Sequence, residues 1–247
     1  MREFTFGVFS EIIDNFCAAG YQVLPFKDYA VGEIKSGKYL ILRHDVDRFP
    51  LQALKMARIE SNMGILGTYF FRIIPSVFKP AIIEEIASLG HEIGYHYEDL
   101  STCHGNIQKA IASFSKNLDL LRDYYPVMTI CMHGSPYSRW DNKLMWNKNE
   151  YRQYGIVADV YLDVDFEKVF YITDNGNGWN KTNVSIRDKV KSSFHIPIRN
   201  TGHLISMINS SKLPDLVMLN AHPNSFFDFG TRYIINRIFT GIKNRVK

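Results

Sequence analysis

The chain has 247 residues, 46% of them hydrophobic, 14% aromatic and 22% charged, with a net charge of +4. This is ordinary globular material, enough for one large α/β domain or two small ones, and it lacks the long polar or low-complexity segments of a disordered chain. After Asp228 the chain carries Arg232, Arg237, Lys243, Arg245 and Lys247 and no acid, so the rest is close to neutral and no nucleic-acid surface is indicated. Cys17, Cys103 and Cys131 are odd in number and widely spaced. They make neither a zinc knuckle nor a disulfide framework, which suits a reducing compartment. No segment reads as a signal peptide, and no apolar run approaches the roughly 20 residues that span a bilayer. A cytoplasmic location is expected.

Phe4 to Ala19 has helical spacing in Phe6, Phe9, Ile12, Ile13 and Phe16, with Gly20 as its stop. Tyr21 to Lys38 reads as a connector opening on a possible short strand. Tyr39 to Leu42 is an apolar run of the length that suits a strand covered on both faces. It leads into Arg43-His-Asp-Val-Asp47. Pro50 opens a helix to about Met63. Gly67 to Arg72 is a strand and Pro80 to Leu89 a short helix. His91 to His96 is a further strand, and Asn106 to Tyr124 the longest helix. Val127 to Met132 is a strand ending at His133-Gly-Ser-Pro-Tyr137. Ile156 to Tyr161 and Val169 to Ile172 are short strands, Asp174 to Trp179 a loop, Thr201 to Ile208 a helix and Leu216 to Asn220 a strand. A last amphipathic helix covers about 232–246, its stripe formed by Ile234, Ile235, Ile238, Phe239, Ile242 and Val246. Strands alternating with helices predict a parallel α/β sheet, either a β/α barrel or a doubly wound sheet, in one domain over residues 1–247.

Polar residues gather where strands end: Asp45 and Asp47, His96 with Glu98, His133, Asp174 and His222. In α/β folds that edge binds ligands. If the extended chain continues, Asp45 and Asp47 face the same side, and their repulsion calls for a metal, a cation or a shared proton. A strand-end turn with solvated carboxylates is the plainer reading of Asp-X-Asp alone. Several such groups on one face are harder to dismiss, because buried charges need partners. Carboxylate and imidazole suit zinc, manganese, iron or cobalt in a site left open to water. A remaining Asp and His could then exchange protons with the reacting groups.

The order and setting of these residues resemble the polysaccharide deacetylase family (the NodB-homology fold, carbohydrate esterase family four), and more narrowly its branch found with surface-polysaccharide genes. Leu42-Arg-His-Asp-Val-Asp47 stands where the family has its first motif, which implies Asp45 as catalytic base and Asp47 as metal ligand. Gly90-His-Glu-Ile-Gly-Tyr-His96 matches the strand before the family's metal-binding His pair and implies His96 as ligand, with His91 facing away in a supporting role. Ser135-Pro-Tyr137 matches the third motif, whose backbone helps hold the oxyanion. Leu216 to Pro223 matches the last, which implies His222 as general acid. Two departures stand out. Leu100 lies where the second metal His is expected, and Gly134 where an Arg precedes Pro-Tyr. Glu98, His104 or His133 could complete the ligand set, and His133, at a neighbouring strand end, is preferred.

The resemblance implies an incomplete or distorted (β/α) barrel and a hydrolase with a divalent metal, zinc foremost. Its substrate would be an N-acylated, chiefly N-acetylated, amino sugar or sugar conjugate of surface-glycan or lipopolysaccharide biosynthesis. Tyr137, Trp140 and Trp179 lie in loops of the expected active face, where they either pack the loops or stack on a sugar ring. Asp174 would bind a sugar hydroxyl or orient a catalytic His. The basic final helix either packs on the barrel or touches anionic lipid peripherally. Metal-independent hydrolysis of another C–N bond, or a degenerate barrel that only binds saccharide, are the competing expectations.

Overall fold

The computed structural model describes residues 3–32, 35–134, 138–146, 150–175, 178–180, 190–231, 233–236 and 238. Helix α1 (Phe6–Ala18) begins after Thr5, whose hydroxyl accepts from the Val8 amide at 3.2 Å. It buries Phe9, Ile12, Ile13 and Phe16 as its spacing predicts. Phe4, expected inside the helix, instead takes a left-handed conformation and sends its ring into the core. The expected connector then holds strand β1 (Tyr21–Leu24) and a short helix α2 (Phe26–Ala30). Strand β2 (Lys38–Val46) leads through Pro50, at the first turn, into α3 (Pro50–Asn62). Next come β3 (Thr68–Phe71), α4 (Pro80–Ser88), β4 (Glu92–Tyr97), the single turn α5 (Asp99–Thr102), α6 (Ile107–Arg122) and β5 (Thr129–Met132).

The expected strand over Ile156–Tyr161 is only β6 (Ala158–Asp159). Asp159 ends it, because its carboxylate accepts from the Tyr161 and Leu162 amides and so starts α7 (Val160–Asp163). The expected loop after Ile172 is a hairpin of β7 (Phe170–Asn175) with the antiparallel β8 (Gly178–Trp179). Helix α8 (Thr201–Asn209) and strand β9 (Leu216–Asn220) complete the order. Of the expected final helix, the described residues are helical, with Ile234, Ile235 and Ile238 exposed at 49%, 47% and 56%. The Tyr233 hydroxyl donates to the Glu3 carbonyl and the Asn236 amide to that of Asn224, so a polar face meets the body.

The sheet runs β6-β5-β4-β3-β2-β9-β7-β8, with β1 beside the first half of β2. All pairs except β7–β8 are parallel. It is a curled half-barrel left open between β6 and the β7–β8 hairpin. Alternation along the strands separates two apolar layers. Leu40, Leu42, Tyr69, Phe71, Ile93, Tyr95, Ile130, Ile172, Val217 and Leu219 face the helices. Ile41, Phe70, Cys131, Tyr171 and Met218 fill the concave side. Phe26 of α2 joins them and its amide donates to Thr68, while the buried Glu92 accepts from Thr68, Thr129 and the Lys27 amide. That end of the half-barrel is therefore plugged, and the other is left for chemistry.

Gly94 of β4 lets the Phe70 ring lie flat across the strand. A Cβ there would stand 2.3 Å from Phe70 Cδ1 and 3.1 Å from the Thr129 carbonyl oxygen. Gly94→Ala should lower stability by about 2 kcal/mol, the usual size of an overpacking penalty. Urea unfolding measures it, and adding Phe70→Leu should recover part of the loss.

Candidate functional site

Residues 43 to 47 carry the site because β2 emerges there at the open end of the half-barrel. His44 points back under α3, its Nε2 2.7 Å from Glu60 Oε1 and its Nδ1 2.8 Å from the Ala221 carbonyl oxygen. Arg43 and Asp45 point into the barrel. The Asp47 amide donates to the Asp45 carbonyl at 3.1 Å, turning the chain so that Asp47 joins them. The same-side expectation for Asp45 and Asp47 holds, reached through this tight turn rather than continued strand.

Three side chains converge above Asp45. Asp47 Oδ1 lies 3.3 Å from His96 Nε2 and 3.5 Å from His133 Nε2. Each imidazole is anchored at its other nitrogen, His96 Nδ1 on the Cys131 carbonyl at 2.9 Å and His133 Nδ1 on Glu98 Oε2 at 3.0 Å. An acceptor on Nδ1 places the proton there in the neutral ring and leaves a lone pair on Nε2. Two lone pairs therefore aim at a carboxylate oxygen that is itself buried and without a hydrogen-bond partner. A cation removes that conflict. Ligands at roughly 2.0–2.1 Å around a tetrahedral zinc stand about 3.3–3.4 Å apart, close to the separations found. Two imidazoles and a carboxylate, with Asp47 the most open at 26% side-chain exposure, fit a divalent metal with room for water.

Of the other candidate ligands, Glu98 has both oxygens engaged by Arg72 and His133, and His104 is exposed. Leu100 is buried in the hydrophobic core. His91 faces away from His96, as strand parity requires, with Nε2 on the Ala57 carbonyl and Nδ1 accepting from the Gly67 amide.

Asp45 sits deeper. Its Oδ1 accepts from Arg43 Nη1 at 2.8 Å and its Oδ2 from Asn220 Nδ2 at 2.9 Å. Oδ2 is also 4.0 Å from His96 Nε2 and 3.9 Å from His222 Nε2. Burial alone would raise its pKa, but Arg43, with His96 and His222, holds it below the ordinary carboxylate range. Arg43 was not legible as a site residue. Its one signal is position, a cation in an otherwise apolar strand, which must find partners. It is fully buried and also donates to Cys131 Sγ, Tyr161 Oη and Tyr171 Oη.

His222 follows β9, and Asp174 Oδ1 accepts from both its backbone amide at 2.6 Å and its Nδ1 at 2.9 Å. Asp174 therefore orients the histidine, one of its two expected roles. Burial opposes the charged ring, yet Asp174, with Asp47 and Asp45, lifts its pKa to about 10. Trp140 is half-buried, lying over Gly105 with the Arg139 guanidinium 4.8 Å from its ring. Trp179 corrects an expectation. It is only 3% exposed, packs on Phe4 and donates from Nε1 to Thr201 Oγ1 at 2.9 Å, so it offers no face to a sugar. Tyr137 and the Ser135-Pro136 segment lie outside the described residues.

A scan of protein-family models finds no match, and neither does a search of curated proteins. Solved structures do match. Those it is similar to include family 4 carbohydrate esterases. One is the esterase domain of a multidomain xylanase from the hindgut metagenome of Trinervitermes trinervoides, with 12% identity over 85% of each chain and a TM-score of 0.43. The family 4 esterase of Streptococcus mutans has 12% identity, covering 89% of this chain and 85% of that one, with a TM-score of 0.48. A family 4 pseudoenzyme from Bacillus anthracis has 9% identity, covering 85% and 62%, with a TM-score of 0.46.

His222 provides a direct test of the electrostatics. Its pKa is raised from 6.5, so protonation stabilises the fold fully below about pH 6.5 and this contribution is lost as pH rises through about 10. Asp174→Asn removes the main anion and should move the His222 titration to lower pH. Proton NMR of the ring reads it, and an unmoved midpoint would contradict the assignment.

Proposed function

We propose that the chain is a hydrolase that removes an N-acyl group, acetyl foremost, from an amino sugar. The observation that carries this is the convergence of Asp47 Oδ1, His96 Nε2 and His133 Nε2 beside a depressed carboxylate and a protonated imidazole. A divalent cation held by those three donors would supply a Lewis acid that polarises an acyl carbonyl and acidifies a water.

The chain's own groups account for the proton traffic. Asp45, kept ionised by Arg43, is the base that takes a proton from the attacking water through Oδ2. His222 stands 3.9 Å from that oxygen and carries its proton at neutral pH. It donates this proton to the amine nitrogen as the carbon–nitrogen bond breaks. Water is consumed, the carboxylic acid and the free amine leave, and the proton on Asp45 passes by way of solvent back to His222. Asp174 holds the ring in place throughout, in the manner of the orienting acid in other His-dependent hydrolases. Among the described residues, Trp140 beside α5 is the expected aromatic that keeps an exposed surface for a sugar ring.

Purified protein should contain close to one equivalent of divalent metal, lost in Asp47→Ala and in His96→Ala. Asp45→Asn should keep the metal yet lose hydrolysis of N-acetylated amino sugars by at least about 100-fold. Metal-free protein whose hydrolysis still depends on Asp45 would instead support metal-independent C–N cleavage. Saccharide binding without any hydrolysis would support a degenerate barrel.

Contact with anionic lipid is proposed through Ile234, Ile235 and Ile238, which are exposed in a segment whose sequence also carries Arg232, Arg237, Lys243, Arg245 and Lys247. Liposome flotation with anionic vesicles should recover the wild type and not a variant with all three changed to Ser. Equal recovery would remove the idea.

A further inference from the structure

His133 completes the donor set from β5, whereas Leu100, four residues after His96, is turned into the core. A ligand supplied from a separate strand needs its own device to fix the ring. We propose that Arg72 and Glu98 are a positioning pair that makes His133 a metal ligand. The inference rests on reading Asp47, His96 and His133 as a cation site.

The geometry is specific. Glu98 Oε2 accepts the Nδ1 proton of His133 at 3.0 Å, directing Nε2 toward Asp47. The carboxylate is gripped by a guanidinium fork, Arg72 Nε to Oε1 at 2.9 Å and Nη2 to Oε2 at 2.7 Å. Such a bidentate pair fixes orientation as well as charge. Neutralised in this way, Glu98 is an acceptor for His133 rather than a competing ligand. The third arm, Arg72 Nη1, donates to the Asp47 backbone carbonyl at 3.2 Å. Arg72 follows β3 and Glu98 follows β4, the two strands between β2 and β5 in the sheet. The pair thus spans the gap between the strand that carries Asp47 and the strand that carries His133, and it touches both. An outer carboxylate on a ligating imidazole typically contributes about 10- to 100-fold in metal affinity.

The test uses the full chain and zinc alone, with affinity read by competition against a chromophoric chelator and stability by thermal unfolding of metal-free protein. Glu98→Ala should weaken zinc by about 10- to 100-fold, and Glu98→Gln, which keeps an acceptor for His133 but not its charge, by less. Arg72→Lys keeps the charge without the fork and should also weaken zinc; it serves if the Glu98 variants do not fold. Metal-free melting temperatures close to wild type would separate ligand positioning from general destabilisation. Glu98→Ala or Arg72→Lys with affinity within about twofold of wild type overturns the pair, provided His133→Ala loses the metal. Wild-type protein that binds no zinc, or His133→Ala that binds it equally well, overturns the donor set itself.

Discussion

A single buried cation bridges the open side of the half-barrel. The Arg43 guanidinium lies on the concave side of β2 and reaches the Asp45 carboxylate, Cys131 of β5, Tyr161 just past β6 and Tyr171 of β7. β6 and the β7–β8 hairpin flank the opening of the sheet, so hydrogen bonds from one side chain span the seam that backbone pairing leaves unclosed. The rings of Phe70, Tyr161 and Tyr171 surround the charge at 5.4–6.0 Å. Removing one partner of such a fully buried pair typically costs about 3–5 kcal/mol, because the other charge is stranded. The same contact fixes Asp45, so closure of the barrel and placement of the proposed base depend on one interaction.

The two departures noted in the sequence, Leu100 and Gly134, put no imidazole and no guanidinium at those positions. His133, after β5, lies beside Asp47 and is the proposed third ligand, and Arg43 of β2 lies on Asp45. The two carboxylates are met differently: Asp45 by the Arg43 guanidinium, and Asp47 by two imidazole nitrogens that would share a cation with it. On the other face the buried Glu60 of α3 has His44 Nε2 2.7 Å away and His91 Nδ1 3.5 Å away.

Much of this was legible because strand parity is strict. Arg43, His44 and Asp45 in β2 and His96 in β4 sit where period-two alternation places them, as does the opposite-facing His91, while Asp47, His133 and His222 follow directly on strand ends. What could not be read lies in contacts across topology. Tyr161 and Tyr171 are 118 and 128 residues from Arg43, and nothing local marks them as its partners. Glu98 reads from the sequence only as a candidate ligand, since the Arg72 fork that makes it a support comes from another strand. Trp179 read as a loop aromatic because a two-residue strand carries too little pattern to recognise, and the hairpin takes it into the core. β6 was overestimated for the opposite reason. Its apolar residues continue into α7, and the change of direction is made by one Asp159 side chain.

The alternation of β2 also says how this protein can tolerate change. Three successive charged or ionisable residues, Arg43, His44 and Asp45, are each correct for one face and wrong for the other. Substitution at any one disturbs its own partners. Loss or gain of a single residue upstream in the strand would exchange the faces all at once. The imidazole would then enter the barrel, while the guanidinium and a carboxylate would be pressed under α3. Length between Tyr39 and Asp47 is therefore constrained more tightly than composition.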